Sequence, residues 1–260
     1  MLLFRFFSII LRLVNQKSLN LVIDIGNTCA KLVAFEDGEP IEEERIENDE
    51  PQKIKDFCNK FSFERGIYSS VIDLSRQFVD IIISLPFSMM ELQPGVTDIP
   101  IINKYKTPHT LGSDRLAAVI GANYLNPQSN ILIIDIGTCV TYDFINASGE
   151  YLGGNISPGP TMRIKALNKF TARLPIIERN GSIPEIGTST ETAIRSGITN
   201  GIRYEIEGYI SKFSVKYPGL FIYLTGGVDI NLHIPEKMRI FANKFIVPIG
   251  LNRILEYNNE

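Results

Sequence analysis

The 260-residue sequence is poor in metal-binding and disulfide-forming side chains, with two histidines, three cysteines and no tryptophan. Cys29, Cys58 and Cys139 form no CxxC pair, and His109 and His233 stand alone. A zinc site or a disulfide framework is therefore not expected, and a reducing cytoplasm fits this cysteine usage. The net charge of −3, without a basic block, argues against a dedicated nucleic-acid binder, which needs a concentrated basic face.

An uninterrupted apolar run long enough to cross a bilayer is missing as well. Residues 1–14 are mostly apolar, but Arg5 and Arg12 interrupt them, and a membrane-spanning helix needs about 20 apolar residues. No small-residue cleavage site follows, as a signal peptide would require. We expect residues 1–18 to be an apolar extension or a misassigned start of a cytoplasmic protein, with a packed or membrane-surface helix as the alternative. No stable membrane insertion is expected, and the fold should begin at Leu19.

The sequence also lacks a GxxxxGKS/T phosphate loop and the protein-kinase signature set, which excludes both of those enzyme classes. What it contains instead is the pattern Asp-Ile-Gly-polar twice, beginning at Asp24 and at Asp135, 111 residues apart. Each copy follows an apolar strand candidate, over residues 19–25 and 130–134, and precedes two further strand candidates. This repetition predicts an internal duplication of nearly half of the chain.

The duplication predicts two domains, over residues 19–127 and 128–260, that pack around a cleft. The boundary is placed where Pro127 interrupts a helix. Residues 93–110 are rich in turn formers and are predicted to be a loop. The remaining pattern predicts helices over 51–61, 74–83, from 116 onward and over 191–213, and strands over 66–70 and 220–224.

The repeated motif is a candidate phosphate-binding loop between two strands. Gly26 permits a tight turn and a close ligand approach, while free backbone amides and the hydroxyl of Thr28 can donate to phosphate oxygens. Thr138 offers a hydroxyl in the second copy. Asp24 can hold Mg²⁺ directly or through water, and Asp135 is a second oxygen ligand for a cation. A single copy would be better explained as a hairpin turn, but two equivalent copies favour phosphate binding.

Two further segments allow a functional and a simpler structural interpretation. Asp114 and Arg115 open a predicted helix, where they could form a helix-start ion pair. Alternatively, Asp114 binds a substrate hydroxyl and Arg115 a substrate carboxylate. Gly226 and Gly227 follow an apolar strand and could admit an adenosine against the backbone, although such turns are common in α/β proteins.

The ordered set of motifs closely resembles that of the type III pantothenate kinases, from about Leu19 to the C-terminus. The resemblance implies an α/β, duplicated actin-like (ribonuclease H-like) ATPase fold, with two βββαβα-type domains around a cleft. It also implies ATP-dependent phosphorylation of pantothenate to 4′-phosphopantothenate, the first step of coenzyme A biosynthesis. Mg²⁺, a monovalent cation such as K⁺ or NH₄⁺, and a homodimer are implied too. The motifs are Asp24-x-Gly-Asn-Thr, Tyr105-x-x-Pro-x-x-x-Gly-x-Asp-Arg115, Asp135-x-Gly-Thr138, Gly153-Gly-x-Ile-x-Pro-Gly159 and Thr225-Gly226-Gly227.

The resemblance also assigns roles to individual residues. It implies that Asp114 is the general base and that Asp135 binds the monovalent cation. Together with the glycine pair, it predicts ATP contacts from Asp24, Gly26, Asn27, Thr28, Lys31, Thr138, Gly226 and Gly227. Pantothenate contacts are predicted from Tyr105, Gly112, Ser113, Asp114, Arg115 and Thr190, with nearby Thr188 as the alternative to Thr190.

Other functions remain open at this point. Cys139 stands where the family usually has alanine, and Val228 follows the glycine pair, but neither departure affects a predicted role. A sugar kinase, acetate kinase or polyphosphatase would carry the same two loops. A catalytically silent nucleotide-binding regulator is the alternative from another class, although it would have no need of a base such as Asp114. The long helix over residues 191–213 is the candidate dimer interface.

Overall fold

The protein is described here by a computed structural model covering residues 19–227, 230–233, 235 and 238–260. The predicted N-terminal extension, residues 1–18, and Val228 lie outside the described residues. Within the described part of the chain, no helix has both the length and the apolar character needed to traverse a membrane.

Two mixed sheets form the framework. The first has the order β3-β2-β1-β4-β5 and the second the order β11-β10-β7-β8-β9-β6. In each sheet a three-stranded antiparallel meander is extended by parallel strands, β4 and β5 or β10 and β11. Apart from β6, the sheets therefore share strand order and directions, as the duplication predicts. The strands are β1 (Leu19–Ile25), β2 (Cys29–Glu36), β3 (Glu39–Glu47), β4 (Arg65–Ser70), β5 (Ser88–Glu91), β6 (Ile102–Asn103), β7 (Ile131–Ile136), β8 (Cys139–Ile145), β9 (Glu150–Pro158), β10 (Phe221–Gly226) and β11 (Arg239–Ala242).

Helices cover the sheets and also separate them. Ser75 caps α2 by accepting a hydrogen bond from the Phe78 amide at 3.2 Å. Ser189 and Thr192 form a reciprocal capping box at the start of the long helix α5. The helices are α1 (Lys53–Cys58), α2 (Arg76–Ile83), α3 (Ser113–Leu125), α4 (Pro160–Phe170), α5 (Thr190–Lys216) and α6 (Ile246–Tyr257), with a short 3₁₀ turn at Pro108–Thr110.

The helices α3 and α6 pack against each other in the layer between the two sheets. Their backbones touch at Gly121 and Gly250: a Cβ atom on Gly250 would come within 1.8 Å of the Ala117 carbonyl oxygen. Helix α6 also reaches the first sheet, where Asn20 donates a buried hydrogen bond to Asn252 at 2.8 Å. The last helix of the chain therefore belongs to the packing of both halves, which a division at residue 127 does not capture.

Candidate active site

Three carboxylates predicted from separate motifs come together where the two sheets face the central helices. Side chains alternate along a strand, and Val22 and Ile133, two residues before Asp24 and Asp135, belong to the core between the sheets. Asp24 and Asp135 consequently point to the same layer, and Asp114 joins them from the first turn of α3. The charge of Asp114 raises the pKa of both strand carboxyls, so all three lie within electrostatic range.

Burial and mutual repulsion shape the electrostatics of this cluster. Burial, followed by the charge of Asp114, raises the pKa of Asp24 to about 6, while Lys31 and a 3.2 Å hydrogen bond from Ser69 oppose the shift. Burial, then Asp114 and Asp24, raise the pKa of Asp135 to about 7. Burial also raises the pKa of Asp114. The cluster therefore holds more negative charge than the residues around it neutralise.

Lys31 is a basic side chain whose charge acts on both strand carboxylates. It lies on β2 directly opposite Asp24 in the antiparallel register. Burial lowers the pKa of Lys31, whereas the charges of Asp24 and Glu43 act to raise it. Its ammonium group donates a 3.0 Å hydrogen bond to the Lys244 carbonyl oxygen, which belongs to the segment before α6. Lys31 thus links the two halves of the molecule beside the first motif.

The donor set suits a hard cation that is shared with a ligand. Carboxylate oxygens are the ligands preferred by Mg²⁺, which usually keeps several waters and binds through one or two carboxylates plus substrate phosphates. Among the described residues, no three His, Cys, Asp or Glu side chains are close enough to hold a metal ion by themselves. Asp24 and Asp135 therefore fit cations whose remaining ligands are phosphate oxygens and water.

The first motif forms a tight turn between β1 and β2. The Gly26 amide donates to the Cys29 carbonyl oxygen at 3.0 Å, and Asn27 and Thr28 are exposed at the tip. The side-chain amide of Asn48, directly after β3, donates to the Gly26 carbonyl oxygen at 3.0 Å. Sequence reasoning missed Asn48, because only the pairing of β2 with β3 brings it to the turn.

The second motif makes a turn that is one residue shorter. The Gly137 amide donates to the Cys139 carbonyl oxygen at 2.8 Å, and Thr138 is exposed. Gly159, directly after β9, donates its amide to the Thr138 carbonyl oxygen at 3.0 Å. A Cβ atom on Gly159 would lie 2.3 Å from the Gly137 carbonyl oxygen. The position after the third strand therefore holds the turn in both halves, by a side chain in one and by the backbone in the other.

The glycine pair after β10 lies beside the second motif. Parallel pairing of β10 with β7 sets Thr225 opposite Asp135 and Gly226 opposite Ile136. Gly226 has a φ of +102°, and a Cβ atom there would come within 2.6 Å of an Asp135 carboxylate oxygen. Among the described residues, no atom lies within 4 Å of the Cβ position of Gly227. Gly226 and Gly227 therefore place only backbone atoms next to the carboxylate cluster.

Arg115 has a different partner from the one in the simpler interpretation. Its guanidinium lies 2.6 Å from Asp143 through Nη2, and Nε donates to the second carboxylate oxygen at 3.0 Å. Toward Asp114 it is the Arg115 backbone amide that donates, at 2.7 Å. The helix-start ion pair is therefore wrong. Tyr151 donates to Asp143 at 2.6 Å, and Tyr105 covers the guanidinium at 5.7 Å. Asp143 and Tyr151 were not predicted.

The neighbours of Asp114 in the motif also make contacts within the protein. Gly112 precedes α3, and a Cβ atom there would lie 2.5 Å from an Asp114 carboxylate oxygen. Ser113 is buried, and its hydroxyl donates to the Ser70 carbonyl oxygen at 3.1 Å. Ser113 therefore joins α3 to the end of β4, and its contact with the substrate stays a prediction.

Thr190 lies at the exposed start of α5, on a different feature. It lines an apolar groove of about 820 Å³ between α4 and α5, together with Leu167, Phe170, Ile194 and Ile198. The lining includes none of the three carboxylates. Thr190 is thus the predicted substrate residue that the described chain does not bring to the cluster.

Comparison with known sequences identifies the family of the chain. The model of the type III pantothenate kinase family matches residues 20–212. A type III pantothenate kinase of Phocaeicola vulgatus is 49% identical over 242 residues, which cover 93% of this chain and all of that protein. The corresponding protein of Bacteroides fragilis is 46% identical over 241 residues, 93% of this chain and 99% of that one.

Solved structures with the same fold are more distant in sequence. A Baf family transcriptional activator from Campylobacter jejuni superposes with a TM-score of 0.56 at 21% identity, covering 92% of this chain and 98% of that one. The ethanolamine utilization protein EutJ from Carboxydothermus hydrogenoformans gives a TM-score of 0.51 at 13% identity, covering 91% and 89%. These likenesses concern the fold alone.

Proposed function

The chain belongs to the type III pantothenate kinase family, and we propose that its carboxylate cluster transfers the γ-phosphoryl group of ATP to the primary hydroxyl of pantothenate. The predicted family, the actin-like fold and the pantothenate kinase activity are confirmed by this membership. The enzyme uses ATP, and its reaction is the first step of coenzyme A biosynthesis. What the membership leaves to be proposed is which residues of this chain do the chemistry.

The observation that carries the proposal is the convergence of Asp24, Asp114 and Asp135. Phosphoryl transfer needs mainly positioning, charge stabilisation and an acceptor for the hydroxyl proton. A cluster of three partly buried carboxylates, in which the charge of Asp114 raises the pKa of Asp24 and Asp135, supplies an acceptor and calls for cations. Two loops with exposed Thr28 and Thr138 hydroxyls flank the cluster. These features together fit a polyphosphate substrate better than they fit a structural core.

Asp114 is proposed as the general base. A base works best when its pKa approaches the working pH, and burial raises the pKa of Asp114 from the ordinary aspartate value. The Arg115 amide holds one oxygen of the carboxylate at 2.7 Å, which fixes its orientation at the helix start. The carboxylate would accept the proton of the substrate hydroxyl as that hydroxyl attacks the γ-phosphorus.

Cation sites are proposed at the two strand carboxylates. Asp24 would hold Mg²⁺, directly or through water, and Asp135 a monovalent cation such as K⁺ or NH₄⁺. When bound, these ions neutralise the charge between the protein carboxylates and the phosphates. Lys31, opposite Asp24, adds a fixed positive charge on the same side.

The remaining contacts divide between the two substrates. Gly226 and Gly227 present bare backbone beside Asp135, which suits the adenosine end of ATP, with Gly26, Asn27, Thr28 and Thr138 on the phosphates. Tyr105, Gly112 and Arg115 lie on the Asp114 side and are proposed to receive pantothenate. Thr190 would take part if the apolar α4–α5 groove is covered by a second copy in a homodimer, and we propose that assembly and a cytoplasmic location.

One assay separates this function from its alternatives. The protein would be incubated with ATP, Mg²⁺ and K⁺ and with pantothenate, glucose or acetate, and the phosphorylated products identified by mass spectrometry. We expect phosphopantothenate and ADP in equal amounts, and no glucose or acetate phosphate. Phosphorylation of glucose or acetate would indicate another kinase of this fold. Nucleotide binding without any product would indicate a silent regulator, and either result would contradict the proposal.

A further inference from the structure

Asp143 is a fully buried carboxylate that no predicted role explains. It lies on β8, and its side chain is 1% exposed. A carboxylate in such a place must be paired and hydrogen-bonded, because burying an isolated charge is very costly. Asp143 accepts hydrogen bonds from Nε and Nη2 of Arg115 and from the hydroxyl of Tyr151. Arg115 is only 6% exposed, so both charges have lost their water.

A glycine in the neighbouring strand leaves the space that this ion pair occupies. Pairing of β8 with β9 sets Gly154 opposite Asp143. A Cβ atom on Gly154 would lie 2.4 Å from an Asp143 oxygen and 2.8 Å from Nη2 of Arg115. A buried ion pair is a weak device for stability, since well-packed hydrophobic residues often stabilise a core as well or better. The ion pair is therefore better explained by the neighbouring side chains that it orients.

The Arg115–Asp143 ion pair orients side chains that lie next to the candidate base, Asp114. Because Asp143 occupies Nε and Nη2, the plane of the guanidinium is fixed. The guanidinium carbon lies over the Tyr105 ring, 5.7 Å from its centroid, and this ring stacks on Tyr151 with ring centroids 6.0 Å apart and an interplanar angle of 6°. Arg115 is also the residue directly after Asp114. One buried carboxylate therefore orients an arginine and, through it, a tyrosine beside the base.

We propose that Asp143, assisted by Tyr151, is a positioning residue for pantothenate: it orients Arg115 and Tyr105 to receive the substrate. The proposal rests on the proposed function, in which these two residues contact pantothenate. It also refines that function. Because the Nε–Nη2 edge of Arg115 faces Asp143, the substrate would form its hydrogen bond with the remaining guanidinium nitrogen and not with that edge. Asp143 itself touches no reacting atom.

The test uses the chain's own matched pair of tyrosines. Tyr151→Phe removes the hydroxyl that bonds Asp143 and keeps the ring that stacks on Tyr105. Tyr142→Phe is the control: Tyr142 is equally buried, donates to the Glu205 carboxylate at 2.9 Å and stacks on Tyr209, on the opposite face of the second sheet. Asp143→Asn is the stronger variant, but it leaves Arg115 unpaired and could fail to fold, so Tyr151→Phe decides.

Steady-state kinetics with each substrate varied in turn give the readout. We expect Tyr151→Phe to raise KM for pantothenate about tenfold, the scale of one hydrogen bond to a charged group, with KM for ATP and kcat little changed. Tyr142→Phe should change no kinetic parameter selectively. In an Arg115→Lys background, Tyr151→Phe should add little further effect, because both act through the same guanidinium.

The outcomes distinguish this proposal from the function on which it rests. If the unaltered protein phosphorylates pantothenate but Tyr151→Phe leaves KM for pantothenate unchanged, the positioning role is wrong and the function stands. Equal effects of the two tyrosine variants would overturn it too, because a purely structural role would produce them. If the unaltered protein forms no phosphopantothenate, both fail together.

Discussion

Gly226 leaves no room for a side chain against Asp135. A Cβ atom at position 226 would lie 2.6 Å from the Asp135 carboxylate and 2.3 Å from the Ile136 carbonyl oxygen, and the φ of +102° already disfavours any residue with a side chain. Backbone and carboxylate are in contact here because β10 pairs directly with β7. The proposed cation site and the proposed nucleotide site are therefore in direct contact.

This contact predicts the effect of Gly226→Ala. The added methyl group must displace Asp135 or the second turn, so KM for ATP should rise clearly. Gly219→Ala is the matched control, because Gly219 has a φ of +77° and no atom in the described part of the chain lies within 4 Å of its Cβ position. Both variants carry a backbone strain of about 1–2 kcal/mol, so thermal unfolding should respond to both. An equal KM for ATP in the two variants would show that crowding at Asp135 has no consequence.

Activity should depend on a monovalent cation through Asp135. The charges of Asp114 and Asp24 raise the pKa of this carboxyl, and the charge of Lys31 opposes them. Initial rates would be measured in Na⁺, K⁺, NH₄⁺ and tetramethylammonium at fixed Mg²⁺. We expect K⁺ or NH₄⁺ to activate and the bulky organic cation to fail, and Asp135→Asn should flatten this response. Equal rates in all four salts would contradict the site.

The stability of the ligand-free protein should also reflect Asp135. Its pKa is raised from 3.8 to about 7, so the folded state binds the proton more tightly than the unfolded state. The contribution of Asp135 to the free energy of unfolding is therefore fully present below pH 3.8. It is lost as the pH rises toward 7, at about 1.4 kcal/mol per pKa unit at most. Asp135→Asn should unfold at a higher temperature than the unaltered protein at about pH 8, with a smaller difference at about pH 5.

Added K⁺ and Mg²⁺ should narrow that difference, because a bound cation favours the ionised carboxylate. Exposed Asp56, in the first turn of α1, provides the control: Asp56→Asn should not reproduce the pattern. A difference between Asp135→Asn and the unaltered protein that is constant with pH would contradict the assigned burial and repulsion.

A shortened chain beginning with methionine and Leu19 should remain folded and active. β1 begins at Leu19, and every residue proposed to contact ATP or pantothenate lies after it. Yield of folded protein and the specific activity would be compared with those of the full chain. Insolubility of the shortened protein would instead show that residues 1–18 complete the core.

The sequence predicted the two meanders and the carboxylates of Asp24 and Asp135, since two apolar strands each end in Asp-Ile-Gly, whereas the role of Asp114 was implied by the family resemblance. It did not predict α6, because Pro248 and Gly250 argue against a helix. Pro248 is tolerated because it stands in the first helical turn, where amides have no partner within the helix. Gly250 is needed for the close contact with α3.

The same distinction applies to the site. Asp143 carried a signal that was overlooked: a charged residue within an apolar strand has to be paired, and Arg115 is its partner. Asn48 carried none, because its contact with Gly26 depends on the register between β2 and β3. Local patterns thus predicted the motif residues, whereas the residues that hold them in place depend on tertiary pairing.

The general-base role of Asp114 is the central claim, and Asp114→Asn tests it most directly. The amide keeps the size of the side chain and most of its hydrogen bonding but accepts no proton. We expect kcat to fall by about 10²–10⁴-fold, while the folded variant still binds pantothenate and Asp56→Asn behaves as the unaltered protein. A near-normal kcat in folded Asp114→Asn protein would contradict the account, because the cluster would then lack its proton acceptor.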